Sequence, residues 1–210
     1  MFARDFATIN PYLYHLTDKG NAEDILSRRQ VLSTTEIAAA AFQNTEARQE
    51  FLRARRPEHV ILEADGKRYS IRDQRPISVT VLERSLTSGW NAANFIEHLN
   101  RRVFFWPTIE RLRRHYERYS RESPVIIRVE SEAMLNLNTH VELARLNTGA
   151  TRCHPAYGGD APTRGEGTFQ PPQEIQYGLR SIAEVTFPGS CALPQNVCIG
   201  ATPDGVWRCA

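Results

Sequence analysis

The chain has 210 residues, of which 41% are hydrophobic and 24% charged, a composition typical of globular proteins rather than disordered ones. Its 26 Lys and Arg residues against 24 Asp and Glu give a net charge of +2, too small to indicate a polyanionic partner by itself. The length fits a single domain over residues 1–210. Because no apolar leader and no run of 18 apolar residues is present, we expect a cytoplasmic protein without a membrane partner.

The four cysteines form no CxxC pair and have no metal-ligand spacing, which argues against a zinc site. In a cytoplasmic protein we expect their thiols to be reduced. Cys153 lies next to His154, but adjacent side chains on an extended chain point apart, so this pair is a poor candidate for a nucleophile and its base.

The first half of the chain predicts a strand, several helices and a hairpin. "YLYHLT" at 12–17 is a strand, and an amphipathic helix follows over 21–32, capped near Asp18 or Asn21. A strongly helical segment runs from Thr34 or Thr35 to Pro57, which stops it. Residues 59–78 form either a polar connection or a short hairpin that turns at Asp65-Gly66, and two short helices are expected at 79–86 and 91–100.

The second half predicts mainly strands. "RVFFWP" at 102–107 is an aromatic strand, and a helix starts at Thr108. "PVIIRVES" at 124–131 is the clearest strand, whereas residues 150–173 have loop composition. Strands at 181–187 and 197–207 close the chain. The irregular order of helices and strands indicates an α+β protein rather than a doubly wound fold.

The motifs of several common enzyme classes are absent. The sequence contains no GxGxxG, no GxxxxGK[ST] and no HExxH, so dinucleotide-binding Rossmann, P-loop and zincin interpretations have no local support. No pair of carboxylates is marked by its spacing as a glycoside hydrolase site.

One acid stands out within an apolar strand, Glu184 in "IAEVTF". A carboxylate in apolar surroundings costs several kcal/mol unless it is paired or has a function. The alternative is that Glu184 lies at a strand edge and faces water. Similarly, His15 in "YLYHLT" is either a hydrogen-bonded core histidine or a ligand-binding residue.

Three motifs, in order along the chain, together resemble a known family. They are "YHLT" around His15, the "VFFW" strand at 103–106, and "RGEGTF" at 164–169 followed by "AEV" at 183–185. This arrangement is similar to the ADP-ribosyltransferases, in particular to the DarT-type toxins that modify DNA and a small related bacterial family. The resemblance covers the two ends of the chain and its middle strand.

The resemblance implies a split pair of small β-sheets with flanking helices and a cleft that binds NAD as the ADP-ribose donor. It implies that His15 holds the ribose next to nicotinamide, that Glu184 is the catalytic carboxylate, and that Thr17 and Ser33 contact NAD. An aromatic residue of the middle strand would stack on nicotinamide. Strand alternation allows either Phe105 alone or Phe104 with Trp106, and Phe105 is our first choice.

Arginines and an acceptor complete this interpretation. Arg102 or Arg164 would meet the diphosphate of NAD, because guanidinium binds phosphate through two parallel hydrogen bonds. The arginine clusters at 53–57 and 101–121 are typical of the solvent-exposed side of a helix. Together with the DarT likeness, they also fit a surface that binds a nucleic-acid acceptor. The Glu-x-Glu pair of arginine-modifying enzymes is missing, since residue 182 is Ile.

The resemblance therefore implies an NAD-dependent ADP-ribosyltransferase, a glycosyltransferase that modifies DNA or RNA. A role as a toxin or antiviral defence effector, with an antitoxin as a possible partner, would follow from the same likeness. Two alternatives stay open. The acceptor is a protein, or the chain is a non-catalytic module that binds nucleotides or nucleic acid in the same cleft.

Overall fold

A computed structural model describes residues 1–151 and 162–209 of the chain. The helices in this part are α1 (Phe2–Ile9), α2 (Lys19–Arg28), α3 (Thr34–Ala41), α4 (Thr45–Arg53), α5 (Val79–Ser85), α6 (Ala92–Asn100), α7 (Ile109–Tyr116) and α8 (Ser131–Leu137). The strands are β1 (Tyr12–Thr17), β2 (Gln30–Leu32), β3 (Val60–Ala64), β4 (Lys67–Ile71), β5 (Arg102–Phe105), β6 (Val125–Glu130), β7 (Glu142–Ala144), β8 (Glu184–Pro188), β9 (Ser190–Ala192), β10 (Val197–Gly200) and β11 (Arg208–Cys209).

The strands form several small antiparallel sheets, so the α+β class is confirmed. One sheet has the order β1-β6-β10-β11 and another the order β5-β8-β7. The pairs β2-β9 and β3-β4 form two further ladders. In the second of these pairs Asp65 and Gly66 both have positive φ, as a tight type I′ hairpin turn requires.

The two larger sheets meet where β1 passes the end of β5. Tyr14 of β1 and Trp106, the residue directly after β5, exchange both backbone hydrogen bonds, at 3.0 and 2.8 Å. The main core fills the space beside this junction with Leu13 and Ile127 of one sheet and Phe105 and Phe187 of the other. This junction places the middle of β1 next to β5.

Several predictions about helices need correction. The segment 34–57 forms α3 and α4 instead of one helix, because Asn44 interrupts it and its side chain accepts the backbone N–H groups of Glu46 and Ala47. The N-cap of α3 is Ser33 rather than Thr34 or Thr35. Strand β2 occupies the last residues of the segment 21–32, which was expected to be helical throughout, whereas α2 ends at Arg28. Helices α1 and α8 and strands β7 and β9 were not predicted.

The expectation of reduced thiols is wrong at the C-terminal strands. Cys198 and Cys209 lie opposite each other on β10 and β11 and form a disulfide. A strand of two residues such as β11 is too short to show an alternating pattern, so this pairing could not be predicted from the sequence. Cys191 is a buried free cysteine, whereas Cys153 and His154 lie outside the described residues. Every helix in the described ranges is too short or too polar to cross a lipid bilayer.

Candidate functional site

A cavity of about 230 Å³ opens where the two larger sheets meet. Its walls come from β1, β5, β8, the segment 72–77 after β4, the end of α6, and α7. The lining residues used below are His15, Arg56, Arg72, Asp73, Gln74, Asn100, Arg102, Phe104, Trp106, His115, Arg118, Tyr119, Thr148 and Glu184. His15 and Glu184, the two residues singled out as catalytic by the sequence, therefore line the same cavity.

Glu184 is the first residue of β8, between the neighbouring strands β5 and β7, and is only 3% exposed. Burial excludes the alternative in which it faces water. Its carboxylate accepts two hydrogen bonds from Thr148, one from the backbone N–H at 3.2 Å and one from the hydroxyl at 2.7 Å. Within the described residues it has no ion-pair partner.

Burial sets the protonation of Glu184. It raises the pKa of this carboxyl to about 7, and the two Thr148 hydrogen bonds together with Arg111 and Arg164 offset only part of the rise. Near neutral pH the group exchanges its proton readily. A carboxyl with this pKa suits proton transfer or stabilisation of a developing cation.

His15 is held in one tautomer by the strand junction. Its Nδ1 lies 2.9 Å from the carbonyl oxygen of Phe104, and since a carbonyl only accepts, Nδ1 must carry the proton. Burial, with a smaller effect of Arg72, lowers the pKa of His15 to about 4. The imidazole is thus neutral at pH 7, and its Nε2 is a hydrogen-bond acceptor.

The aromatic strand uses the opposite face from our first choice. Phe104 and Trp106 line the cavity. Phe105 is fully buried in the main core, where its ring packs edge-on against Phe187 at 5.7 Å and also contacts His15. The second of the two alternation patterns is therefore the observed one, and Phe105 supports the wall from behind.

Arg102 lines the cavity, but its charge is already paired. Its guanidinium lies 2.6 Å from the carboxylate of Glu142, donates to the carbonyl of His98 at 2.7 Å, and stacks on Phe169 at 4.2 Å. Arg164 is buried away from the cavity lining, where it donates to Ser85 and to the carbonyl of Pro162.

Thr17 and Ser33 lie beside the cavity rather than on it. Ser33 is buried, and its hydroxyl accepts the N–H of Glu36 as the N-cap of α3. Thr17 lines a smaller neighbouring pocket of about 60 Å³, which His15 also borders. Of these two, only Thr17 opens onto a space next to His15.

Sequence reasoning missed a group of polar residues around Arg56 on the cavity wall. Arg56 was included in a basic run that favoured a solvated face, yet it is only 7% exposed and lines the cavity. Asn100 and Asp73 are buried nearby, and His115 is kept neutral because burial lowers its pKa to about 3. No local pattern marks these residues, because separate turns and helices bring them together.

Comparison with known proteins places the chain at the level of a family. Searches of curated proteins and of solved structures return no significant match. A family model described as "Family of unknown function (DUF7002)" matches residues 11–196, a range that includes both His15 and Glu184. The chain thus belongs to this family of unknown function.

Proposed function

We propose that the protein is an NAD-dependent ADP-ribosyltransferase with a split pair of small sheets. The observation that carries the proposal is the shared cavity of His15 and Glu184, with Phe104 and Trp106 beside them. A buried carboxylate, a neutral imidazole acceptor and an aromatic surface suit a planar, positively charged nicotinamide ring and its ribose. The cavity is smaller than the roughly 300–1,000 Å³ of most ligand sites, so it would hold one half of NAD.

The proposed reaction gives each residue a defined task. The bond between C1′ of the ribose and N1 of nicotinamide breaks, and its electron pair leaves with nicotinamide. The acceptor then attacks C1′ and passes its proton to the ionised carboxylate of Glu184. Ionised Glu184 stabilises the oxocarbenium-like charge on the ribose, and Nε2 of His15 accepts a hydrogen bond from a ribose hydroxyl. Phe104 and Trp106 provide the stacking surface for nicotinamide.

Nucleic acid is our preferred acceptor. The support is the likeness to DarT-type toxins, together with Arg118, an exposed arginine that borders the cavity, and Arg114 and Arg121 nearby on the same surface segment. Lys and Arg on a surface bind phosphates without reading sequence. A toxin or defence role belongs to this proposal, and a protein acceptor is the second possibility.

The decisive experiment measures nicotinamide release from NAD and transfer of labelled ADP-ribose to DNA, RNA or protein. We expect Glu184→Gln to reduce the rate at least a hundredfold, because a neutral amide cannot stabilise the developing cation. Gln still accepts the N–H of Thr148 and can donate to its hydroxyl, so the fold is preserved. The matched control Glu174→Gln, at an exposed position, should keep the wild-type rate.

Three outcomes decide between the alternatives. Equal rates for wild type and Glu184→Gln would refute the site. The absence of nicotinamide release with every acceptor, combined with measurable binding of NAD or ADP-ribose, would favour the non-catalytic module. A rate that rises with pH through about 7 would agree with a carboxylate that must lose its proton first.

A further inference from the structure

Arg56 is a buried arginine on the cavity wall, in the connection that follows α4. It is 7% exposed, and its guanidinium has no carboxylate within ion-pair distance among the described residues. Its contacts are neutral: Nε donates to the carbonyl of Arg72 at 3.2 Å and Nη2 donates to Oδ1 of Asn100 at 2.9 Å. Nη1 is buried without any hydrogen-bond partner.

A buried cation in this state is costly. Removing an ion from water costs several kcal/mol, and an opposite charge with full hydrogen bonding is the usual compensation. Burial lowers the pKa of Arg56 to about 10, so the residue is still charged at pH 7. Within the described residues Arg56 therefore carries a positive charge without a directly paired carboxylate, and the nearby Asp73 offsets only part of the effect of burial.

The other charges of the cavity do not supply the missing anion. Arg72 lies 3.3 Å from the carboxylate of Glu122. The carboxylate of Asp73 is bound by Arg75 at 2.8 Å and by the hydroxyl of Tyr119 at 3.3 Å. Together with the Arg102–Glu142 pair, these contacts leave Arg56 in the wall and the exposed Arg118 at its border as cations available to a ligand.

The surroundings hold the guanidinium of Arg56 in a fixed position. Asn100 donates its amide to the carbonyl of Leu52 at 2.6 Å, which forces its oxygen to face Arg56. The side chain of Gln74 accepts the backbone N–H of Arg56 at 3.1 Å, and the guanidinium lies over the ring of Phe51 at 5.4 Å. A pre-positioned guanidinium loses little entropy when it binds an oxyanion.

We propose that Arg56 is the phosphate-binding residue of the cavity and contacts the anionic group of its ligand. If the ligand is NAD, as the proposed function holds, this group is the diphosphate, and Arg56 takes the role that the sequence assigned to Arg102 or Arg164. The anion site itself does not depend on that reaction, because it follows from the unpaired charge.

Inorganic pyrophosphate is a direct probe of this site. We expect the wild-type protein to bind it by isothermal titration calorimetry and to gain thermal stability in its presence. Arg56→Lys, which keeps the charge but loses the planar fork, should weaken the affinity at least tenfold. The control is the neighbouring variant Arg55→Gln, which also removes one positive charge. Arg55 donates to the carbonyls of Gln74 and Arg75, and its replacement should change the affinity for pyrophosphate less than twofold.

Two results would overturn the site. One is wild-type protein that does not bind millimolar pyrophosphate, a measurement that requires no variant to fold. The other is folded Arg56→Lys protein with unchanged affinity. If only the proposed reaction is wrong, the result is different. Pyrophosphate binding then still requires Arg56, but the protein never releases nicotinamide. If both proposals hold, Arg56→Lys raises the KM for NAD at least tenfold and changes kcat less.

Discussion

Two groups of cavity residues each bury one ionisable side chain among neutral hydrogen-bond partners, an acid in one group and a base in the other. In the acidic group, Glu184 is buried against Thr148. In the basic group, Arg56 is buried against Asn100 and a backbone carbonyl. Each charge has neutral hydrogen-bond donors or acceptors and no ion-pair partner in the described part of the chain.

Other charged residues of the cavity wall do have ion-pair partners. Arg102 lines the same cavity and is bound to Glu142 at 2.6 Å. Among the buried charged residues that line the cavity in the described part of the chain, only Glu184 and Arg56 lack an ion-pair partner. A ligand with a positive centre and a diphosphate close to it would complement both, and the nicotinamide half of NAD has this distribution of charge.

The largest change in stability is expected from breaking the basic group at Asn100. This residue is 3% exposed, and Asn100→Leu would leave both Nη2 of Arg56 and the carbonyl of Leu52 without partners. We expect the free energy of unfolding in urea to fall by about 3 kcal/mol. Asn136→Leu, on the exposed face of α8, is the control and should change it by less than about 0.5 kcal/mol. A similarly small loss at Asn100 would mean that Arg56 needs no support.

A smaller effect is expected from neutralising the acidic group. The pKa of Glu184 in the folded protein, about 7, lies above its ordinary value of 4.5, so the folded state binds the extra proton between these values. Wild-type stability should therefore fall, relative to Glu184→Gln, by about 2–3 kcal/mol between pH 5 and pH 8.

Urea titrations of both proteins at the two pH values measure this difference. Thr148→Val should enlarge the decline, because it removes the 2.7 Å hydrogen bond that favours the carboxylate. If the difference in free energy of unfolding between wild type and Glu184→Gln does not vary with pH, Glu184 is not desolvated. The parallel between the acidic group and the basic group would then be wrong.

A slightly smaller effect, over the range above pH 5, is expected from the imidazole beside the acidic group. Because burial lowers the pKa of His15 to about 4, the unfolded chain takes up the proton first, and His15 reduces stability as the pH falls from about 6.5 to 4. Nitrogen NMR shifts should report neutral His15 with its proton on Nδ1 at pH 5. The same residue in urea should titrate near 6.5. A protonated ring at pH 5 in the folded protein would contradict the assigned tautomer.

Much of the local structure was predictable because short-range chemistry determines it. The apolar strands β1 and β6, the Thr108 cap of α7 and the hairpin at Asp65-Gly66 follow from patterns of a few residues. The division of segment 34–57 depends on which polar side chain accepts the backbone N–H groups at the start of a second helix. No pattern in the sequence identifies Asn44 as that residue.

The candidate site was predictable only in part. Glu184 and His15 stood out because each is a polar residue inside an apolar strand. Whether Phe104 or Phe105 faces the cavity depends on which side of β5 meets the core, and alternation alone cannot decide that. Arg56 could not be recognised, since its burial results from Asn100 and Gln74, which lie far along the chain.

The C-terminal strands have a consequence for the edge of the sheet that contains β1 and β6. β6 carries β1 on one side and β10 on the other, and β10 lies beyond residues 11–196, which match the family model. Without β10, the hydrogen-bonding groups of β6 would form an open edge that invites pairing with another chain. The disulfide between Cys198 and Cys209 holds the short strand β11 beside β10. The outermost strand of the sheet therefore has only two residues, so the exposed edge is short.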